Sequence, residues 1–480
     1  MKKLLLAGCL SCLLLLTLSA CARNTAASEE DNIVYGQVVK TDENQITIES
    51  GDYTYGGSFK GSGTEESYTL PENVFYDDFK AGDIVSILCD GQDATAVSNV
   101  KDVDYKASGS GNSGSTKSAS EKAAEVVAAP AGTAQLTADD EQVTVNDESY
   151  QVGEDSRVGL LALNSGGRIS MSRSSVTVPG KNGCGIAAAD GAAISGEQVN
   201  LTSSGENSIA AVALDRSSVI ELNDSTMETS SAKSPCVLSA GNVSLNGVSA
   251  TVQKSDGVTV LPGGVVNLKN SSMVSGGDAA IALCDPETLQ KAADQSEAAG
   301  RGAAFTVSSQ SGKAKIMADS SSLEAVSGKA LLQVTGIEGF VKMMNTDLTL
   351  ASGAVLADVK KNQKDQGGKL LLYGVNQAYS GDITCDDSSK VKLVLTEGSS
   401  YSGCFDAKGS AAYSKVYLSR NSAWNVTGDS HVSSLRNGNK KCSNIKSNGH
   451  KIYYDKNREA NDWLGGKTVS LPGGGTLQPE

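Results

Sequence analysis

Three short segments decide the fold: Val-Ile-Glu-Leu-Asn-Asp-Ser-Thr at 219–226, Asn-Val-Ser-Leu-Asn-Gly-Val-Ser at 242–249 and Val-Val-Asn-Leu-Lys-Asn-Ser-Ser at 265–272. An apolar pair recurs in them every 23 residues: Ile220 with Leu222, Val243 with Leu245, and Val266 with Leu268. Apolar residues at alternate positions indicate β-strands. A period of about 23 leaves no room for a helix between successive strands, so the chain must coil as a solenoid.

The same step returns later in the chain. It relates three further sets: Leu370, Leu393 and Val416; Leu372, Leu395 and Leu418; and Tyr401 and Trp424. Val199 with Leu201 and Val341 with Met343 fit as looser copies. Asn, Asp and Ser follow the apolar pairs, and these residues favour the tight corners where one strand turns into the next.

This repeat resembles the right-handed parallel β-helix of the pectate-lyase-like class. The resemblance covers residues 135–430 and implies an all-β solenoid of about 12 to 14 coils, a rod on the order of 60 Å long at a strand spacing of ~4.8 Å. The segment Ser422–Ser430 also resembles the ending of surface, adhesin-like β-helix proteins of anaerobic gut bacteria. Residues 431–480 lose the period and are expected to form a C-terminal cap that shields the open end.

Residues 1–20 form a predicted signal peptide. Lys2 and Lys3 precede an apolar run from Leu4 to Leu18, and small residues stand before Cys21. Leu18-Ser19-Ala20-Cys21 resembles the lipobox of bacterial lipoproteins, which implies diacylglycerol on the Cys21 thiol and cleavage before it. The apolar run is short for a membrane-spanning helix.

Residues 21–31 are interpreted as a polar tether and 32–104 as a small β domain. Alternation in Ile33–Val39 and Gln45–Ile48, and a strand led in by Lys80-Ala81-Gly82, are similar to the small β-barrels of the oligonucleotide- and sugar-binding fold. Residues 105–134, rich in Gly, Ser and Ala, are predicted to be a flexible linker. The aromatic-rich end of the rod is farthest along the chain from the anchor, an arrangement that suggests display.

Two insertions are expected within the coils. Asp285–Gly300 has a helical signature, because Asp285 can cap a helix and Pro286 suits its first turn. Lys360–Gly368 is expected to be a disordered insertion.

The net charge argues against a nucleic-acid partner. The whole chain carries −14, and loss of residues 1–20 removes two lysines and no acid, giving 39 basic against 55 acidic side chains. Binding to nucleic-acid phosphates needs a basic stripe, and the sequence shows none.

Residues for catalysis are sparse. A hydrolase needs two carboxylates on one groove. Asp387 and Asp406, 19 residues apart, would stack in a shortened coil, whereas the simpler interpretation makes both exposed turn residues. His431 and His450 are the two histidines, and both lie in the expected cap. Seven cysteines beyond Cys21 show no CxxC pair, so we expect buried single thiols and no metal or cofactor.

Aromatic residues concentrate between 370 and 463. Tyr373 follows the inward Leu372 and Tyr417 precedes the inward Leu418, so alternation points both outward. The candidate glycan-stacking residues are Tyr373, Tyr401, Tyr417 and Trp424, since aromatic faces suit sugar rings. The alternative is that Tyr401 and Trp424 stack inside the core.

The sequence therefore favours a non-catalytic lipoprotein, lipid-anchored on the extracytoplasmic face of the cell membrane. Its β-helix would serve adhesion or glycan binding, with an extracellular polysaccharide or the surface of a host or neighbouring cell as partner. Two alternatives stay open: a polysaccharide lyase or glycoside hydrolase with a site in a groove of the coils, and a structural spacer. A fold alone does not choose among them.

Overall fold

The computed structural model describes residues 32–54, 58–72, 74–90, 92–100, 134–286 and 311–480 of the 480. The first domain has the strands β1 (Asn32–Thr41), β2 (Gln45–Thr54), β3 (Ser58–Thr69), β4 (Ile84–Asp90) and β5 (Asp93–Asn99). They close into a barrel with the order β1-β2-β3-β5-β4. Ile46, Ile48, Val85 and Ile87 lie in its core and are fully buried. The predicted small β-barrel is confirmed.

The second domain is a right-handed parallel β-helix of about 14 turns, each about 25 residues long. Three long sheets form its walls.
The twelve-stranded sheet contains, in order, β7 (Gln142–Asn146), β10 (Arg168–Ser172), β13 (Ala193–Glu197), β16 (Val219–Asn223), β19 (Asn242–Asn246), β22 (Val265–Lys269), β25 (Ala314–Asp319), β28 (Glu338–Met344), β31 (Lys369–Val375), β34 (Lys390–Thr396), β36 (Tyr413–Leu418) and β39 (Ser434–Asn437).
The ten-stranded sheet contains β6 (Ala134–Asp139), β9 (Val158–Leu163), β12 (Cys184–Ala188), β15 (Ile209–Ala213), β18 (Val237–Ser239), β21 (Val258–Val260), β24 (Ala279–Cys284), β27 (Ala330–Thr335), β30 (Val355–Lys360) and β33 (Ile383–Cys385).
The eight-stranded sheet contains β8 (Ser149–Gln151), β11 (Ser175–Val178), β14 (Asn200–Ser203), β17 (Thr226–Thr229), β20 (Ser249–Val252), β23 (Ser272–Ser275), β26 (Ser322–Ala325) and β29 (Asp347–Leu350).

Inward side chains stack in register from coil to coil. Ile220 pairs with Val243 and Val243 with Val266, and the leucines two places on pair in the same way. These residues are at most 2% exposed. The 23-residue step is therefore confirmed where it was first found, and the buried ladder holds successive coils together.

One corner of each of the nine successive coils from β7 to β31 places a residue in the left-handed backbone region. The residues at this corner, with φ between 45° and 67°, are Asp147, Arg173, Gln198, Asp224, Gly247, Asn270, Ser320, Asn345 and Asn376. Asn, Asp and Gly tolerate this conformation best. The buried Ser225 hydroxyl next to it donates to Asn223 O (2.7 Å) and accepts the Val199 amide (2.9 Å), which secures the turn.

Two details of the predicted repeat are wrong. Leu393 pairs with Leu372, 21 residues earlier, and not with Leu370, because the turn between these two coils is shorter. Leu201 lies on β14 and pairs with Met227, so it belongs to a different wall of the coil from Ile220. Val341 pairs with Leu372 on the expected wall.

Residues 360–368 form an ordered turn, which corrects the expected disordered insertion. The side-chain oxygen of Asn362 accepts the amides of Lys364 (2.9 Å) and Gln366 (3.1 Å), and its amide nitrogen donates to Asp285 (2.9 Å). An Asn that hydrogen-bonds its own backbone stabilises a turn even where the composition is polar. The helix predicted to begin after Asp285 lies largely outside the described residues.

Parallel pairing continues beyond residue 430. One short sheet contains β32 (Ala378–Ser380), β35 (Ser400–Gly403), β37 (Ala423–Val426) and β40 (Ile445–Lys446), and another contains β38 (Ser430–Val432), β41 (Lys451–Tyr454), β43 (Thr476–Pro479) and β42 (Val469–Ser470). A 3-10 helix, Glu459–Leu464, packs beside β39. Only the last pair, β42 with β43, is antiparallel in this tail of the described chain.

The predicted signal peptide, Cys21 and the tether lie outside the described residues, as do 105–133 of the predicted linker. Within the described ranges no helix is long and apolar enough to cross a membrane.

Candidate binding site at the junction of the barrel and the β-helix

The barrel packs on the later coils of the β-helix. The loop between β3 and β4, residues 70–83, faces the outer side of β31, β34, β36 and β39. The aromatic-rich segment, which is far along the chain from Cys21, therefore lies beside the barrel in the fold.

A small apolar cluster marks the centre of this contact. Phe75, in the loop, packs with Leu371 and Tyr413 of the β-helix, and all three are at most 3% exposed. The Tyr76 ring meets Tyr413 edge to face, with centroids 5.8 Å apart. Aromatic pairs in this geometry stabilise by about 0.5–1.5 kcal/mol beyond the burial of area.

Cations of the β-helix surround the cluster. We call six of them the basic face: Lys313, Lys369, Lys392, Lys415, Arg436 and Arg458.
Glu72 of the barrel binds Lys415 (2.8 Å) and Arg436 (2.7 Å). Asp78 binds Lys313 (2.6 Å) and lies 3.7 Å from Lys369. Glu43 of the barrel pairs with Arg458. Three barrel carboxylates thus meet five of the six cations.

The electrostatics of Glu72 follow from its neighbours. Burial alone would raise the pKa of this carboxyl, but Lys415, Lys392 and Arg436 outweigh burial and lower the pKa below its usual value. Glu72 therefore stays ionised through neutral pH and holds the barrel loop against the cations.

The positive charge of Lys392 is less well neutralised by nearby carboxylates than the charges of the other cations. Its ammonium lies under the Phe75 ring, 5.3 Å from the centroid, and donates a hydrogen bond to Val74 O. Burial, and then the neighbouring Lys415, lower the pKa of Lys392 to about 7. Near neutral pH this site is therefore divided between a charged and a neutral amine.

Beside the docked loop, one outward column of the twelve-stranded sheet stays partly open. It runs through Lys342 of β28, Tyr373 of β31, Val394 of β34, Tyr417 of β36 and Arg436 of β39. Tyr373 and Tyr417 are half-buried and point outward as predicted, and Val394, 1% exposed, lies between them. Two strand spacings separate the tyrosines, ~10 Å.

A groove of about 520 Å³ opens where this column meets the barrel. Pro71 and Glu72 line the barrel side, and Phe340, Lys342, Tyr373 and Val375 line the β-helix side. The Lys342 ammonium stands 6.0 Å from the centroid of the Tyr373 ring. The groove thus combines apolar and aromatic surface with a few charged groups, the usual composition of a ligand site.

The structure removes Tyr401 and Trp424 from the candidate glycan-stacking residues. They are 1% and 0% exposed, with ring centroids 5.9 Å apart, so their rings are closed to a surface ligand. The Trp424 indole donates to Gly403 O (3.1 Å) and the Tyr401 hydroxyl to Cys404 O (2.7 Å). The alternative of an internal stack is confirmed.

Asp387 and Asp406 differ in burial and in the contacts that they make. Asp387 is exposed and lies 3.6 Å from Lys361. Asp406 is buried and accepts the amides of Ser410 (3.1 Å) and Ala411 (3.0 Å), which fixes a turn. The expectation that both are exposed turn residues is therefore right for Asp387 and wrong for Asp406.

The remaining candidate groups serve local packing in the described part of the chain. His431 stacks on Tyr453 at 4.6 Å and lies 3.2 Å from Glu480, and His450 lies 3.7 Å from Asp429. The seven cysteines from Cys89 to Cys442 are buried thiols, as predicted, and none forms a disulfide with another in the described chain. No three His, Cys, Asp or Glu side chains converge in a metal-binding group within the described ranges.

Comparisons with known proteins add no family to this geometry. No protein-family model matches the sequence, and no curated protein is detectably similar to it.

Sequence reasoning missed the basic face. A signal was present, because Lys369, Lys392 and Lys415 occupy outward positions beside the inward apolar residues of successive coils in an otherwise acidic chain. These three lysines stand 23 residues apart, so their spacing is visible in the sequence, although β31 and β34 pair Lys392 with Leu371 and not with Lys369.

Proposed function

We propose that the protein is a lipid-anchored, non-catalytic surface protein that binds extracellular glycan in the junction groove. The observation that carries this proposal is the pair of half-buried, outward tyrosines, Tyr373 and Tyr417, on one column beside a groove of about 520 Å³. Sugar rings present C–H faces that pack on aromatic rings, and their hydroxyls suit polar groups such as Lys342 and Glu72 at the groove wall.

The spacing of the column supports an extended ligand. Successive coils repeat every ~4.8 Å, so Tyr373 and Tyr417 offer two platforms ~10 Å apart along the rod. A polysaccharide chain lying parallel to the rod axis could contact both rings, while the buried Val394 fixes the strand between them. Shallow, open binding of this kind fits adhesion to a polymer.

A glycan array probed with residues 21–480 tests this proposal, followed by titration of the best oligosaccharide. We expect Tyr373→Ala and Tyr417→Ala each to weaken binding by about threefold to tenfold. Tyr453→Ala, in the tail, is the matched control and should bind as wild type. Equal binding by all four proteins would contradict the groove as the site.

The same preparations distinguish the alternatives. Release of reducing ends or unsaturated uronates from the bound polysaccharide would favour an enzyme. No binding to any glycan would favour a spacer.

The anchor has a separate test. We propose that Cys21 carries the lipid, as its sequence context implies. Cys21→Ala should abolish labelling with radioactive lipid and release the protein from membranes, because attachment through acyl chains depends on the buried hydrocarbon. Unchanged membrane retention of this variant would overturn the anchor.

A further inference from the structure

The barrel docks far from the point where the β-helix begins. The first strand of the twelve-stranded sheet is β7, and the barrel contacts β31 and β34, eight and nine strands further along. At ~4.8 Å per strand this is roughly 40 Å along the rod. The chain that joins the two domains, residues 101–133, is 33 residues long and could span on the order of 100 Å. Its length allows a barrel to reach its own β-helix or that of a neighbour.

Each domain also has a core of its own. The barrel buries Ile46, Ile48, Val85 and Ile87 within its five strands, and the β-helix buries a separate ladder of apolar residues. The two meet through one small apolar cluster and a ring of ion pairs. Interfaces of this polar kind between domains resemble transient protein–protein contacts. Separation would therefore leave both domains folded.

Charge determines what the basic face can accept. Two β-helix carboxylates, Glu338 and Asp455, lie within ion-pair distance of Lys313 and Arg458, and the six cations outnumber them, so the face is positive without the barrel. The surface also exposes an apolar centre, Leu371 and Tyr413, once Phe75 leaves. A partner must bring carboxylates and an aromatic side chain together, and the barrel loop supplies both.

We propose that the basic face is an interaction surface for the barrel of a second copy of this chain, so that neighbouring copies exchange barrels. The contacts in trans are the same as those seen within the chain, which makes exchange a low-cost route to association. A connection of 33 residues gives the internal contact an effective concentration on the order of millimolar. Copies crowded on one surface compete with that contact, and exchange joins them side by side.

Two complementary variants test the exchange without involving any glycan. The face variant carries Lys415→Ala and Arg436→Ala, and the barrel variant carries Glu72→Ala and Asp78→Ala. Neither can form the full contact within one chain, but the intact barrel of the first fits the intact face of the second. Matching circular dichroism spectra and melting curves will show that both variants fold.

Analytical ultracentrifugation measures the mass of each variant alone and in the mixture, with each variant labelled by a different fluorophore. We expect each variant alone to sediment as a monomer and their equimolar mixture to form a heterodimer of about twice the mass. A chain with all four substitutions, mixed with the face variant, is the control and should not associate. X-ray scattering should show each single variant to be more extended than wild type.

Two results would overturn the proposal. One is a mixture that stays monomeric at concentrations where wild type is compact. The other is a set of variants as compact as wild type, because the ion pairs would then not hold the barrel. Neither result depends on whether the groove binds sugar.

Discussion

The two halves of the twelve-stranded sheet are alike on the inside and different on the outside. In the early coils the central outward residues are Ser170, Ser195, Glu221, Ser244 and Asn267, which are small or polar.
In the later coils the equivalent positions hold Lys342, Tyr373, Val394 and Tyr417. The inward positions hold Ile, Val, Leu, Met, Ala or glycine in both halves, apart from Asn437 on β39.

This difference shows that the inward residues serve folding, whereas the outward residues of the later coils serve contacts with the barrel. The inward ladder is set by the need to bury apolar area in every coil, and it repeats because every coil has the same need. The outward residues are free of that need, so a departure from small polar side chains requires another cause. In the later coils the cause is the barrel and the groove beside it.

The largest expected effect is the loss of stability when an inward aromatic ring is removed, compared with the loss when an outward ring is removed. Trp424→Ala removes a fully buried ring, and we expect it to lower the free energy of unfolding by about 3–5 kcal/mol. Tyr417→Ala removes a half-exposed ring and should cost about 1 kcal/mol or less. Urea denaturation monitored by circular dichroism measures both. Similar losses in the two variants would break the distinction between inward and outward positions.

The sequence predicts the inward, buried positions of the coils well, but it predicts the residues of the outward binding surface only in part. The 23-residue spacing of Ile220, Val243 and Val266 identifies the coils, because every coil must bury apolar side chains at the same inward positions. Tyr373 was placed outward correctly by alternation. Trp424 was ambiguous, because a large aromatic ring is used both in cores and on binding surfaces. Docking of the barrel joins residues such as Glu72 and Lys415, more than 300 positions apart, and no periodic signal connects them.

The next effect concerns the ion pairs of the later coils. Glu72→Gln leaves the buried Lys415 ammonium without its carboxylate, and we expect the docking free energy to fall by about 1–3 kcal/mol. Glu221→Gln, on the exposed outer side of β16, is the matched control and should change nothing measurable. Hydrogen exchange of the amides from Val74 to Phe79 reports docking. Unchanged protection in Glu72→Gln would show that the apolar cluster alone holds the barrel.

The docking of the barrel on the later coils should also depend on pH. The docked pKa of Lys392 is about 7, below the ordinary 10.5, so docking releases a proton between these two values. Docking therefore strengthens as pH rises above 7, by up to tenfold per pH unit, and this contribution is constant below 7. The lowered pKa of Glu72 acts in acid, where docking weakens once pH falls below about 4.5. Burial raises the pKa of Glu43 and Glu338, which opposes that loss in mild acid.

Lys392→Met isolates the alkaline part of this titration. The variant keeps the length of the side chain without a titrating group, so its docking should be tighter than wild type at pH 7 and independent of pH from 7 to 10. The scattering-derived radius, or the exchange of the Phe75 amide, follows docking across the titration. A pH dependence that survives in Lys392→Met would assign it to another group.

The smallest effect is expected from building the later surface on the earlier coils. Ser195 on β13 and Ser244 on β19 are separated by β16, just as Tyr373 and Tyr417 are separated by β34. Ser195→Tyr with Ser244→Tyr should change the free energy of unfolding by no more than about 0.5 kcal/mol per site, because neither position packs in the core. The graft reproduces the tyrosine spacing but not the barrel wall or Lys342. If tyrosine spacing alone made a glycan site, the graft in a Tyr373→Ala background would restore binding; we expect it not to, because the groove needs both domains.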